Sequence, residues 1–186
     1  AGHAPVHVHD EAAEADKQPK PEVILDRYLA AVGGAEALAK INTRVQKGNI
    51  TAFGHAMPIV IYSEAPEKRV SVTQQDKGPS VTAFNGEAGW LSMPGNVHRM
   101  SPAETEAARI DAQLRFPSRI RELYQEFRVR TGEEINGHPT ILVSARGEGR
   151  PPLRLYFDPE SGLLVRLIRY AETPLGRLPT QIDYAD

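Results

Sequence analysis

A chain of 186 residues, 40% hydrophobic and 25% charged, has the size and composition of one globular domain with room for an arm. Its net charge of -2 provides no global basic field to draw nucleic acid or an anionic membrane, and no apolar run is long enough to span a bilayer. It has no cysteine, which excludes disulfides, thiolate metal sites, thiol nucleophiles, c-type haem attachment and a lipid-modified N-terminal cysteine.

Residues 1–21, AGHAPVHVHDEAAEADKQPKP, read as an extended N-terminal arm. Val6 and Val8 are its only large apolar residues, beside three prolines and four acids. Such a segment buries too little surface to offset chain entropy, so its ordering requires a partner. Ala1 follows no initiator methionine, as expected of an exported, periplasmic chain whose presequence has been removed. His3, His7 and His9 have the donor type for copper, nickel or zinc. No acid or cysteine at a suitable spacing completes a tetrahedral set, so no metal is assigned. Together with Val6 and Val8 they are taken as partner-contact residues that can pair along an exposed strand edge.

Residues 22–186 read as a single α+β domain. Pro21 suits a helix start, and Ile24, Leu25, Tyr28, Leu29 and Val32 recur at helical spacing until Gly33 and Gly34 break the run before a short turn at 35–40. From Thr43 the period changes to two, with five strand segments: TRVQKGNITAF, MPIVIYSEAP, KRVSVTQQ, SVTAFNG and GWLSMPG. The short connections favour an antiparallel meander. Ser101, Pro102 and Glu104 then open an inserted helix, and Pro117 separates it from a second, in which Ile120, Leu123, Tyr124 and Phe127 share a face. Strands resume with RVRTGEEI, PTILVSARGE, PLRLYFDPESGLLVRLIRYAE and PTQIDYAD, and DPESG forms a hairpin turn. Leu153, Leu155 and Phe157 face one way and Arg154, Tyr156 and Asp158 the other. Across the hairpin, Val165, Leu167 and Arg169 are placed on one face and Leu164, Arg166 and Ile168 on the other. The expectation is a curved antiparallel sheet whose apolar face is covered by the N-terminal helix and the inserted pair.

Catalytic signatures are sparse. There is no G-x-S-x-G, the serines lack a histidine at a telling position, and GEGRPP lacks the Lys-Ser/Thr of a phosphate loop. Glu104/Glu106 and Glu133/Glu134 read as solvated acids at helix starts and turns, so the chain is taken as a non-enzyme. His55, Met57, Met93, His98 and Met100 are ligand types for haem iron, but no attachment motif accompanies them and no cofactor is assigned. His138 reads as a loop residue. Arginine stands out: Arg115, Arg119, Arg121, Arg128 and Arg130 crowd one region, and Arg146, Arg150, Arg154, Arg166, Arg169 and Arg177 another. Forked donors suit interfaces with carboxylates and carbonyls, which marks Arg154, Arg166 and Arg169 as partner-binding candidates on the polar sheet face.

Three stretches, ILDRYLAAVGGAEALAKI, FNGEAGWLSMPG and RLYFDPESGLLVRLIRYAETPLGRLPTQIDYAD, carry a family resemblance over residues 22–186. The combination resembles the haem-free domain that follows the haem-binding part in photosynthetic reaction-centre cytochrome c subunits. That domain is in turn similar to the outer-membrane lipoprotein-sorting (LolA-like) fold, a curved antiparallel half-barrel wrapped on helices. The resemblance implies a periplasmic accessory subunit docked on a membrane-bound electron-transfer assembly, a photosynthetic reaction centre, and peripheral to the membrane. CxxCH is missing, so the chain is not a c-type cytochrome. The alternative implied by the same likeness is a periplasmic carrier or sensor of a lipoprotein or lipid acyl chain. Its apolar pocket would be lined by Leu91, Leu114, Phe116 and Leu123.

Overall fold

The computed structural model describes residues 18–52, 55–173 and 176–184. Helix α1 (Pro21–Ala31) has proline at its first turn, where a missing N–H costs nothing, and buries Ile24, Leu25 and Tyr28 along one stripe. Gly33 and Gly34 break it from α2 (Gly34–Ala39), which buries Leu38.

Six strands follow: β1 (Thr43–Ala52), β2 (His55–Glu64), β3 (Lys68–Thr73), β4 (Ser80–Phe84), β5 (Gly89–Met93) and β6 (Asn96–Arg99). They pair in sequence order as one antiparallel meander. Strand β6 was not anticipated. Its four residues are too short for a period-two signal. Pro94 and Gly95 occupy the two positions between Met93 and Asn96, and Gly95 takes φ +80°, which glycine adopts without strain. The β4–β5 turn is held by the Asn85 side-chain carbonyl, which accepts the N–H groups of Glu87 (3.0 Å) and Ala88 (2.9 Å).

Helix α3 (Pro102–Asp111) starts with the anticipated capping box. Ser101 Oγ accepts the Glu104 N–H at 3.3 Å and the Glu104 carboxylate accepts the Ser101 N–H at 2.8 Å. Helix α4 (Phe116–Leu123) buries Ile120 and Leu123. The second sheet comprises β7 (Glu126–Thr131), β8 (Ile141–Arg146), β9 (Leu153–Phe157), β10 (Leu164–Thr173) and β11 (Gly176–Asp183), ordered β11-β10-β9-β8-β7 and antiparallel throughout. At the β9–β10 turn Asp158 accepts from the Glu160 N–H (2.9 Å) and the Ser161 hydroxyl (2.7 Å), and Gly162 closes the turn at φ +75°.

The α+β class and the antiparallel pairing are as the sequence implies. The strands form two sheets rather than one, because α3 and α4 intervene between β6 and β7. Helices α1, α3 and α4 cover the apolar face of the second sheet: Ile24, Leu25, Tyr28, Ile110, Ile120 and Leu123 meet Val143, Leu153, Leu155, Phe157, Leu164 and Leu167. Tyr28 packs on Phe157 with ring centroids 5.2 Å apart. Tyr124 is fully buried, donates its hydroxyl to the Pro151 carbonyl at 2.9 Å, and has its phenol pKa pushed up by burial.

The facing order on β10 differs from the alternation expected. Leu164 pairs with Phe157, but Arg166 pairs with Tyr156, so a bulge at Val165 shifts the parity. Leu164, Leu167 and Arg169 therefore share the inner face with Leu153, Leu155 and Phe157, while Arg166 and Ile168 face out with Arg154 and Tyr156.

Candidate functional site

The first sheet distributes its residues against the usual rule. Its register aligns Val45, Tyr62, Val70, Ala83 and Trp90 in one row across β1 to β5, ending at Arg99 on β6. Val45 is 57% exposed, Tyr62 51%, and Val70 and Trp90 each 37%. A second row on the same face runs Lys47, Val60, Val72, Val81, Ser92 and Val97. At ordinary strand spacing the first row spans about 19 Å of apolar surface. Lys47 and Arg99 stand at opposite margins of it.

The opposite, inward face carries Arg44, Ser63, Arg69 and Phe84 in one row and Gln46, Ile61, Ser71, Thr82 and Leu91 in the next. Ser63, Ser71 and Thr73 are buried there. Apolar packing on this face concentrates at Phe84, Leu91 and Met100, which meet Ala108 and Ala112 at α3. Alongside, Arg109 of α3 bonds Glu67 (2.9 Å), the Gly86 carbonyl (2.9 Å) and Glu106 (3.1 Å), and lies 5.2 Å over the Phe84 ring. Gln113 donates to the other Glu67 oxygen at 2.6 Å. These contacts fasten α3 to the turns of the first sheet. Helices thus meet the polar face of this sheet, whereas in the second sheet they meet the apolar one. A contiguous apolar face left in water is the mark of an interaction surface.

Few of the arginines anticipated at an interface stand free. Arg169 is only 8% exposed and forms a two-pronged ion pair with Asp111 of α3, at 2.8 and 2.9 Å. Arg169 shares a face with Leu167 as the alternation implies, but that face is the inner one beside Leu153 and Leu155, so Arg169 is not on the outer polar face with Arg154 and Arg166. Arg166 is turned outward but engaged with Asp183 and Glu133. That pairing holds the Asp183 carboxyl below the usual carboxylate range, through the Arg166 hydrogen bond first. Arg154 is exposed, its guanidinium 5.5 Å over the Tyr170 ring. Other arginines serve as internal ties: Arg115 to the Ile41 carbonyl and Asn42, Arg121 to Asp26, and Arg150 to Glu106.

The residues proposed for an acyl pocket are not gathered into one lining. Leu123 belongs to the main core and Phe116 packs against it, Leu91 packs against the Phe84–Met100 cluster, and Leu114 is buried. Met100 is buried with Phe84, whereas Met93 is exposed, as are His55, His98 and His138. Among the described residues no group of three or more histidines and acids has metal-binding geometry. His3, Val6, His7, Val8 and His9 lie outside the described residues.

Sequence reading missed Val45, Tyr62, Val70 and Trp90 as a set. The signal that could have found them is the turn chemistry, since the Asn85 turn sets Trp90 opposite Ala83 and each earlier turn sets the next pair back to Val45.

No family model matches the chain and no curated protein matches it in sequence. Among solved structures it is similar to the LolA superfamily protein NE2245 from Nitrosomonas europaea, at 12% identity and a TM-score of 0.44, over 91% of this chain and 79% of that one.

Proposed function

We propose that the chain is a non-catalytic accessory module that docks on a partner protein through the outward face of its first sheet. The observation that carries this reading is the exposed row Val45–Tyr62–Val70–Ala83–Trp90. Tyrosine and tryptophan are the side chains that supply most binding energy when buried at an interface. Lys47 and Arg99 at the margins suit a partner whose apolar patch has an acidic rim. The sequence resemblance adds the class of partner, a periplasmic face of a membrane-bound electron-transfer assembly such as a photosynthetic reaction centre. The acyl-carrier alternative has less support, because the inward face of the first sheet is rich in arginine, serine and threonine.

The test is affinity capture of the tagged full chain from its native membranes in mild detergent, with companions identified by mass spectrometry. Subunits of an electron-transfer assembly are expected to co-purify. The double variant Tyr62→Lys/Trp90→Lys, folded by circular dichroism, is expected to lose recovery by at least roughly tenfold. Recovery of the chain alone, or undiminished recovery of the variant, overturns the proposal.

A further inference from the structure

Beside the second sheet an open cleft of about 440 Å³ is lined by Pro102, Ala103 and Glu106 of α3, the 149–152 connection between β8 and β9, Tyr170 of β10 and Arg177 of β11. Its floor offers apolar surface rather than hydrogen bonds. Pro102, Pro151 and Pro152 have no N–H. The Pro151 carbonyl already accepts the Tyr124 hydroxyl at 2.9 Å, and the Pro152 carbonyl the Tyr170 N–H at 3.1 Å. Polar recognition in the cleft therefore falls to its charged side chains. Among the described lining residues two guanidiniums, Arg150 and Arg177, face one carboxylate, Glu106. That carboxylate is divided. One oxygen bonds Arg109 Nε at 3.1 Å, and the other stands 3.7 Å from Arg150, beyond hydrogen-bond reach. A third guanidinium, Arg154, lies 5.5 Å over the Tyr170 ring and extends the cationic rim onto β9.

We infer that this cleft binds a short acidic peptide segment of a partner protein, with an apolar side chain seated on Pro151, Pro152 and Tyr170 and carboxylates held by Arg150, Arg177 and Arg154. Forked N–H donors match the paired oxygens of a carboxylate. Proline and tyrosine surfaces bury an apolar side chain while losing little rotamer freedom of their own. A bare anion leaves the floor unused, and an uncharged apolar ligand leaves the rim unused. The cleft has the volume of a ligand site, and its open side admits a passing chain. Its cations come from β9, the β8–β9 connection and β11, a spread that suits successive side chains of an extended segment better than one small anion. The cleft shares no residue with the outward row of the first sheet, so it is a separate contact.

The test is fluorescence anisotropy of the full chain with a labelled peptide of sequence EELPEE, sodium chloride holding ionic strength constant. One control peptide, QQLPQQ, removes the charge and the other, EEGGEE, removes the apolar centre. Saturable binding of EELPEE is expected, with each control at least roughly tenfold weaker. Ala103→Glu places a carboxylate on the exposed first turn of α3, where an acid suits the helix, and so sets a like charge in the cleft. It is expected to weaken binding by at least roughly tenfold without lowering the melting temperature. Arg150→Gln is expected to weaken binding several-fold. Should Ala103→Glu fold poorly, Arg177→Gln at the exposed rim replaces it, again with several-fold weaker binding expected. The variant Tyr62→Lys/Trp90→Lys changes only the first sheet and is expected to bind the peptide as the parent does, so failure of this contact and failure of the other are distinguishable. Absence of saturable EELPEE binding overturns the inference. Equal binding of EEGGEE reduces the site to a bare anion site and equal binding of QQLPQQ to an apolar one, and either overturns it. So does full retention of binding by Ala103→Glu, or by Arg177→Gln if that variant is the one used.

Discussion

Asp111 and Arg169 show how far a single side chain's role depends on where the fold places it. Both are largely buried, and each uses its full fork on the other, at 2.8 and 2.9 Å. Replacing one partner leaves the other's charge in a poorly solvated space. Asp111→Asn is therefore expected to destabilise the fold by about 3–5 kcal/mol, measured by urea unfolding. The double replacement Asp111→Leu/Arg169→Met removes both charges and is expected to recover most of that loss. From the sequence, Arg169 reads as one more arginine available to a partner. Its partner lies 58 residues away on another element, so no local pattern announces the pair.

At the level of elements, local chemistry was legible wherever a few adjacent residues decide the outcome. The Ser101–Pro102–Glu104 start, the helix break at Gly33–Gly34 and the Asp158–Gly162 turn all form as their side chains dictate. Ser101→Ala removes the acceptor for the Glu104 N–H and is expected to lower stability by about 1 kcal/mol, read as a shift in the urea midpoint at constant slope. Two features escaped this kind of reading. Strand β6 is too short to show a period, and it exists because β5 offers it a free edge across the Pro94–Gly95 turn. The bulge at Val165 changes which residues of β10 face inward, and alternation alone cannot locate a single extra residue.

Across the whole molecule, acid sensitivity follows from carboxylates held low in the folded state. Asp183 is lowered by its hydrogen bond from Arg166, and Asp158 by the N–H of Glu160 and the hydroxyl of Ser161. A depressed folded-state pKa contributes stability that is complete above the unfolded value, about 4, and is lost as pH falls through the folded value. Stability is therefore expected to be flat near neutrality and to decline below about pH 4. The combination Asp158→Asn/Asp183→Asn is expected to make that decline shallower in urea midpoints taken from pH 6 to 2.

What the sequence determined by itself is most of the local layer: the helices and all strands but β6, with Phe127 placed on a helix where the structure has β7, how the turns close, and that neighbouring strands run antiparallel over short connections. Hydrogen bonding and turn geometry act over a few residues, so they are written in adjacent ones. What only the tertiary structure decided is which side of each sheet the helices meet. In the second sheet they meet Leu153, Leu155 and Phe157, as patterning implies. In the first they meet the face of Arg69, Ser71 and Phe84, and leave Val45, Tyr62 and Trp90 in water. Alternation makes the two faces of a strand different but does not say which is inside, because that depends on contacts made by α3 far along the chain. The candidate site, the outward apolar row, arises from that one choice of side.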